Sequence, residues 1–215
     1  MYIAIEGIKG AGKSSVLAHL ERHLASMGVR YQLLRPYAVQ NAGSWLERAY
    51  RRTAGYWPDW AVARFYALRS DSCAKAVPRR GGLLIGDRSI ITSYVTRWND
   101  ADPIAGMNAV DRLERRIALP DQVILLNSSV DLALRRIAQR PSRRYGRKDE
   151  HRERLRSAAD AYALLAAEPS RFGLDYVHWH VVDASRSTEQ VAADVLRRIV
   201  VLADLNHFPN CTIEA

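Results

Sequence analysis

Apolar residues in this chain alternate between short solid runs and longer stretches in which they recur every three or four positions. The first run, Tyr2 to Ile5, has the length and composition of a buried strand. Ser15 to Met27 then sets Val16, Leu17, Leu20 and Leu24 on one helical face and stops at Gly28. Arg30 to Arg35 reads as a second strand and Trp45 to Arg52 as a helix. Trp60 to Val77 reads as a longer helix, ended by Pro78 and the Gly81-Gly82 pair. Leu83 to Gly86 is a short all-apolar strand followed by Asp87-Arg88, and Gln122 to Leu126 is another buried strand. A helix from Val130 to Arg140 leads into a basic segment, Pro141 to Lys148, and then into a helix from Glu150 to Ala167. Tyr176 to Val182 is a final strand and Thr188 to Leu202 a final helix.

Buried strands joined by helices predict a three-layer α/β domain, with a parallel sheet of about five strands between two helical layers. No repeat or linker divides the chain. Residues 1–205 are expected to form one domain and 206–215 an irregular tail.

Between the first strand and the first helix stands Gly7-Ile8-Lys9-Gly10-Ala11-Gly12-Lys13-Ser14, which satisfies G-x-x-x-x-G-K-[ST] at every fixed position. Glycines let backbone N–H groups of such a loop wrap around phosphate oxygens, and the helix N-terminus adds its positive end. Gly7, Gly10, Ala11, Gly12, Ser14 and Ser15 would line the phosphates of ATP, Lys13 would reach the β- and γ-phosphates, and the Ser14 hydroxyl would hold Mg²⁺. The strand-loop-helix context marks this as a P-loop NTPase fold.

Composition narrows the remaining classes. Net charge is +9, most of it from arginine, yet no basic run carries the interleaved aromatics of a stacking platform. An anionic small substrate is therefore expected rather than nucleic acid. No apolar run approaches the ~20 residues that span a bilayer, so no membrane partner is expected. A strand opening at Tyr2 argues against a signal peptide. Cys73 and Cys211 lie far apart without a C-x-x-C context, and a cytoplasmic, reduced protein is expected.

The order of motifs resembles the thymidylate kinase family of nucleoside monophosphate kinases from Ile3 to about Val201. Ile5-Glu6-Gly7-Ile8-Lys9-Gly10-Ala11-Gly12-Lys13-Ser14 is similar to the family's E-G-[ILV]-[DE]-G-[AS]-G-K-[ST]. Phe65-Tyr66-Ala67-Leu68-Arg69 resembles F-x-A-x-R, and Asp87-Arg88-Ser89 resembles D-R-[YHW]. Leu134-Arg135-Arg136-Ile137-Ala138-Gln139-Arg140 resembles the L-x-R-[IL]-x-x-R that opens a mobile lid, here about 141–150. Ala161-Tyr162 and Val182-Asp183-Ala184-Ser185 are similar to A-Y-x-x-L-A and [IV]-D-A-[ST].

The resemblance implies ATP and a nucleoside monophosphate as substrates, Mg²⁺ as cofactor and a homodimer. It puts Phe65 on the acceptor base and Arg69 on the acceptor phosphate. Arg35, Ser93, Tyr162 and Lys9 fall on the acceptor side, with Arg136 and Ser185 on the ATP side. Lys13 and the lid arginines, Arg140 and Arg147 among them, would stabilise the transferring group, and Arg88, also catalytic, would join Arg69 on the acceptor phosphate. Phosphoryl transfer needs such positive charge because its transition state spreads charge over equatorial oxygens. Asp87 would bind Mg²⁺ through water or fix Arg88; the plainer alternative is a helix N-cap. Arg136, Arg140, Arg143, Arg144, Arg147 and Lys148 make an arginine-rich lid, and the loop carries Gly10 where some relatives carry arginine.

Two departures leave the acceptor open. Lys9 stands where the family has an acidic residue that meets the acceptor's 3′-hydroxyl, and an ammonium only donates. Lys9 is expected to hold phosphate or to turn to a carboxylate such as Glu6. After the second strand, Arg35-Pro36-Tyr37 replaces R-E-P-G-G, and Thr92-Ser93-Tyr94-Val95-Thr96 lacks a following Y-Q pair. Thymidylate leads, with cytidylate, uridylate or a modified nucleotide as alternatives. A deoxynucleoside kinase would need a carboxylate base after the second strand, yet Arg22 to Leu46 holds no Asp or Glu between them. A P-loop switch or nucleic-acid-binding ATPase is disfavoured by the arginine-lined acceptor side and the lid.

Overall fold

The apolar runs become strands that lie side by side, all parallel. The computed structural model describes residues 1–34, 58, 61, 64, 82–114, 117–139 and 150–203. Among the described residues the order is β1 (Tyr2–Glu6), α1 (Lys13–Ser26), β2 (Tyr31–Leu34), β3 (Leu83–Asp87), α2 (Ile90–Thr96), α3 (Pro103–Glu114), β4 (Gln122–Asn127), α4 (Val130–Ala138), α5 (Arg152–Ala167), β5 (His178–Asp183) and α6 (Thr188–Leu202).

The sheet runs β2-β3-β1-β4-β5. Its centre, β1, pairs with β3 (Ile5 opposite Asp87) and with β4 (Glu6 opposite Leu125). All five β1 residues are buried, which is why Tyr2 to Glu6 shows no in-out alternation. Helix α1 packs on α6, while α5 packs on α2 and α4. The expected three-layer α/β fold with five parallel strands is the fold observed. No helix among the described residues is long and apolar enough to cross a membrane.

Element ends follow local chemistry. The last helix falls on the expected Thr188–Leu202, because Ser187 and Gln190 close a reciprocal capping box at its start. The final strand begins at His178 instead of Tyr176, which is 57% exposed. Helix α5 begins at Arg152, two residues after the expected start, and α4 ends at Ala138.

Helices α2 and α3 were not anticipated. In α2 only Thr96 is exposed, so the segment lacks the periodic face that signals a surface helix. Its start was legible in Ser89, whose hydroxyl accepts from Ile91 N. Helix α3 opens with Pro103 at its first position, and the Asp102 carboxylate accepts from Ala105 N. The expected helix Trp45 to Arg52, most of Trp60 to Val77, the segment Pro141 to Lys148, Cys73, Cys211 and the tail 206–215 lie outside the described residues.

Candidate active site

The strand order reverses around β1, and ligands of open parallel sheets bind beyond the carboxyl ends of the strands at such a point. The glycine loop occupies that end. Gly7 has φ 138°, and a Cβ there would lie 2.6 Å from Leu126 O. Gly10 has φ 85°, and its Cβ would lie 2.5 Å from Ala133 O in α4. The loop is thus pressed between β4 and α4 and tolerates no side chain at either position. Gly12 caps α1 without a side chain, and Ser14 and Ser15 in the first turn are exposed. Lys13 is buried, its Nζ donating to Gly7 O (2.5 Å) and Ile8 O (2.8 Å). The ammonium therefore rests on the carbonyls of the loop that it is expected to serve.

Asp87 ends β3 beside Ile5, and Arg88 N donates to Ile5 O (3.2 Å). Arg88 has φ 75°, the left-handed region that a non-glycine residue enters at a cost of about 1–3 kcal/mol. The helix that follows is capped by Ser89, so the N-cap alternative for Asp87 does not hold.

Beneath this turn lies Glu6, fully buried. Its Oε1 accepts from Ser89 N and Ser89 Oγ, both at 2.7 Å. Its Oε2 accepts from Thr92 Oγ1 (2.6 Å) and Tyr162 OH (2.8 Å). Tyr162 is itself buried; loss of solvent, then the nearby Glu6 charge, push its phenol well above the usual range, while Arg88 acts in the opposite sense. Tyr162, expected on the acceptor side, keeps its proton and spends its hydroxyl on Glu6.

Ser93, also expected on the acceptor side, is buried, and its hydroxyl donates to Glu114 Oε2 (2.7 Å) between α2 and α3. Arg97 Nη2 lies 3.5 Å from the other Glu114 oxygen. Lys9 does not turn to Glu6, whose acceptor sites are filled; its Nζ lies 3.6 Å from Glu150 Oε1. Glu150 is the last residue of the expected lid segment, so the pair joins the glycine loop to the end of that segment.

On the opposite side of the loop, Arg136 Nη1 donates to Ala184 O (2.9 Å) and Nη2 to Arg186 O (3.4 Å). The same guanidinium lies 3.9 Å from where a Cβ on Gly12 would stand. Ser185 is exposed in that turn, its N–H bound to Asp183 Oδ1 (2.9 Å). Arg136, Ser185 and Gly12 thus share one corner. A cavity of about 320 Å³ opens between β4 and α5, lined by Ile8, Leu126, Ser128, Tyr162, Ala163 and Val181 among others. Among the described residues its lining carries no lysine or arginine. Arg35, Phe65, Arg69, Arg140 and Arg147 lie outside the described residues.

The thymidylate kinase family model matches residues 5–195. The chain belongs to the thymidylate kinase family. It is 30% identical to the thymidylate kinase of Leifsonia xyli subsp. xyli over 207 residues, spanning 93% of this chain and 94% of that one. It is 28% identical to a probable thymidylate kinase of Pyrobaculum aerophilum, over 93% and 97% of the two chains. With the thymidylate kinase of Mesoplasma florum it shares 24% identity, over 95% and 97%. Membership makes the protein an enzyme, a nucleoside monophosphate kinase. Among the residues that thymidylate kinase motifs did not single out are Thr92 and Glu150. Glu6 falls on the E of the E-G motif, and as one acidic residue in an otherwise apolar buried strand it demands donors around it.

Proposed function

We propose that the chain transfers the γ-phosphoryl group of ATP to a nucleoside monophosphate, thymidylate first, yielding the diphosphate and ADP. The observation that carries this reading is the meeting of the glycine loop with Asp87-Arg88 at the adjacent carboxyl ends of β1 and β3. One element suits a triphosphate; the other offers a carboxylate and a guanidinium at the same edge. The loop N–H groups and Lys13 would hold the β- and γ-phosphates, and Arg136 with Ser185 would flank the donor nucleoside. Arg88 and Arg69 would grip the acceptor phosphate in the bidentate manner that lysine lacks. A phosphate whose second pKa is about 6 is already mostly a dianion at neutral pH, so attack needs no base.

The exposed Ser14 hydroxyl and the Asp87 carboxylate are hard oxygen donors, the set that suits Mg²⁺ shared with substrate phosphates. Ser14 and Asp87 would hold the cation, whose positive charge would offset that of the substrate phosphates. Arg140, Arg147 and their neighbours in the lid would exclude water and add positive charge on closing. Ser93 and Tyr162 would act behind the acceptor pocket rather than on the base, since their hydroxyls are engaged by Glu114 and Glu6. The family likeness supports a homodimer, and the two isolated cysteines, Cys73 and Cys211, support a cytoplasmic location.

Coupled ADP release across a panel of nucleosides and their monophosphates tests the reading. Turnover with thymidylate or another monophosphate, and little with nucleosides, is expected. Phosphorylation of nucleosides alone would replace it with a deoxynucleoside kinase.

A further inference from the structure

We propose that Glu6 is a positioning residue for Arg88: its buried carboxylate locks the turn that aims the arginine at the acceptor phosphate. This rests on the kinase reading above. Glu6 cannot touch substrate, because none of it is exposed. Four donors fill the four acceptor sites of its carboxylate, and they come from three separate elements. Ser89 supplies two from the turn after β3, Thr92 one from α2 and Tyr162 one from α5. A carboxylate withdrawn from water at this depth persists only when its lone pairs are met.

Arg88 stands between the fixed points. On one side Asp87 is held in register with Ile5, and Arg88 N is bonded to Ile5 O. On the other side both polar groups of Ser89 end on Glu6 Oε1. The Arg88 carbonyl accepts from Tyr2 OH (3.5 Å) and lies 2.8 Å from where a Cβ on Gly86 would stand, so the turn has no slack toward β1. A left-handed arginine persists only where its surroundings over-determine it, and Glu6 supplies the downstream half of that constraint. The direction in which the side chain leaves the backbone depends on φ, so a relaxed turn would carry the guanidinium off target. The glycine loop has its own constraints at Leu126 and Ala133, and the donor side should be spared.

The test is steady-state kinetics of Glu6→Ala and Glu6→Gln in the wild-type and Arg88→Ala backgrounds. Glu6→Ala is expected to lower kcat/KM for the monophosphate by roughly ten- to a hundredfold, the scale of a lost charge-assisted contact, with the KM for ATP unchanged. Glu6→Gln keeps an amide oxygen for Ser89 N and should recover most of that loss. In the Arg88→Ala background, Glu6→Ala should add little. Equal losses in both backgrounds, or an equal rise in the KM for ATP, would reduce Glu6 to a structural residue and overturn the proposal. If Glu6→Ala does not fold, Ser89→Ala, which cuts one of the two bonds below the turn, should give a smaller loss on the same axis. Crystal structures of wild type and variant answer without turnover. An Arg88 guanidinium unmoved in the variant refutes positioning, whereas a wild-type enzyme inert toward every monophosphate refutes only the kinase reading.

Discussion

Replacing Glu150 by Gln removes the carboxylate facing Lys9 Nζ at 3.6 Å while preserving the size of the side chain. Two unit charges at that distance attract by about 1.2 kcal/mol at the dielectric of water and about 4.6 kcal/mol at an effective value near 20. The side chains retain only 18% and 12% of their exposure, so the environment lies toward the second limit. Desolvation and the ordering of two long side chains offset most of that attraction, leaving a coupling of about 1–2 kcal/mol. Lys9→Met strands the Glu150 carboxylate from this cation in a poorly solvated place and should cost about 2 kcal/mol or more. The assay is equilibrium urea unfolding of the wild type, Lys9→Met, Glu150→Gln and the double variant. The double variant should be more stable than the sum of the single losses by the coupling energy. Salt should change it little, because the pair is mostly shielded from solvent. Additivity to within about 0.3 kcal/mol would refute the view that this pair ties the glycine loop to the far end of the lid segment.

Three further outcomes follow from the same geometry. Lys13→Ala should lower turnover by orders of magnitude, since the ammonium serves charge developing at the β/γ bridge; near-wild-type rates in a folded variant, measured by ADP release, would sink the kinase reading. Gly10→Ala should cost at least about 2 kcal/mol in urea unfolding, because φ is 85° and the new Cβ would meet the Ala133 backbone at 2.5 Å. With Lys9 committed to Glu150 and unable to accept a hydroxyl proton, removal of the acceptor's 3′-hydroxyl should lower kcat/KM by roughly tenfold or less. A loss of several hundredfold would mean that another residue reads that hydroxyl.

Whatever depends on near neighbours was already written in the chain. The phosphate loop is a matter of eight consecutive residues, and the capping box at Ser187 and Gln190 set the start of the last helix. Solid apolar runs at Tyr2, Leu83 and Val123 marked strands covered on both faces, and from them the parallel sheet followed. The family likeness rested on such local motifs and was legible for the same reason. Tertiary structure alone decided the partners. Ser89 and Tyr162 meet Glu6 from 83 and 156 residues away, and no period or spacing encodes which donor fills which lone pair. Lys9 had two chemically reasonable destinations, and the choice of Glu150 depended on how α5 enters beside the loop. Helix α2 escaped sequence reading because burial on nearly every side erased its periodic face, a condition set by its neighbours. The left-handed turn at Arg88 belongs to the same class: its own residue type disfavours that φ, and only the packing of β1, β3 and Glu6 around it holds the conformation.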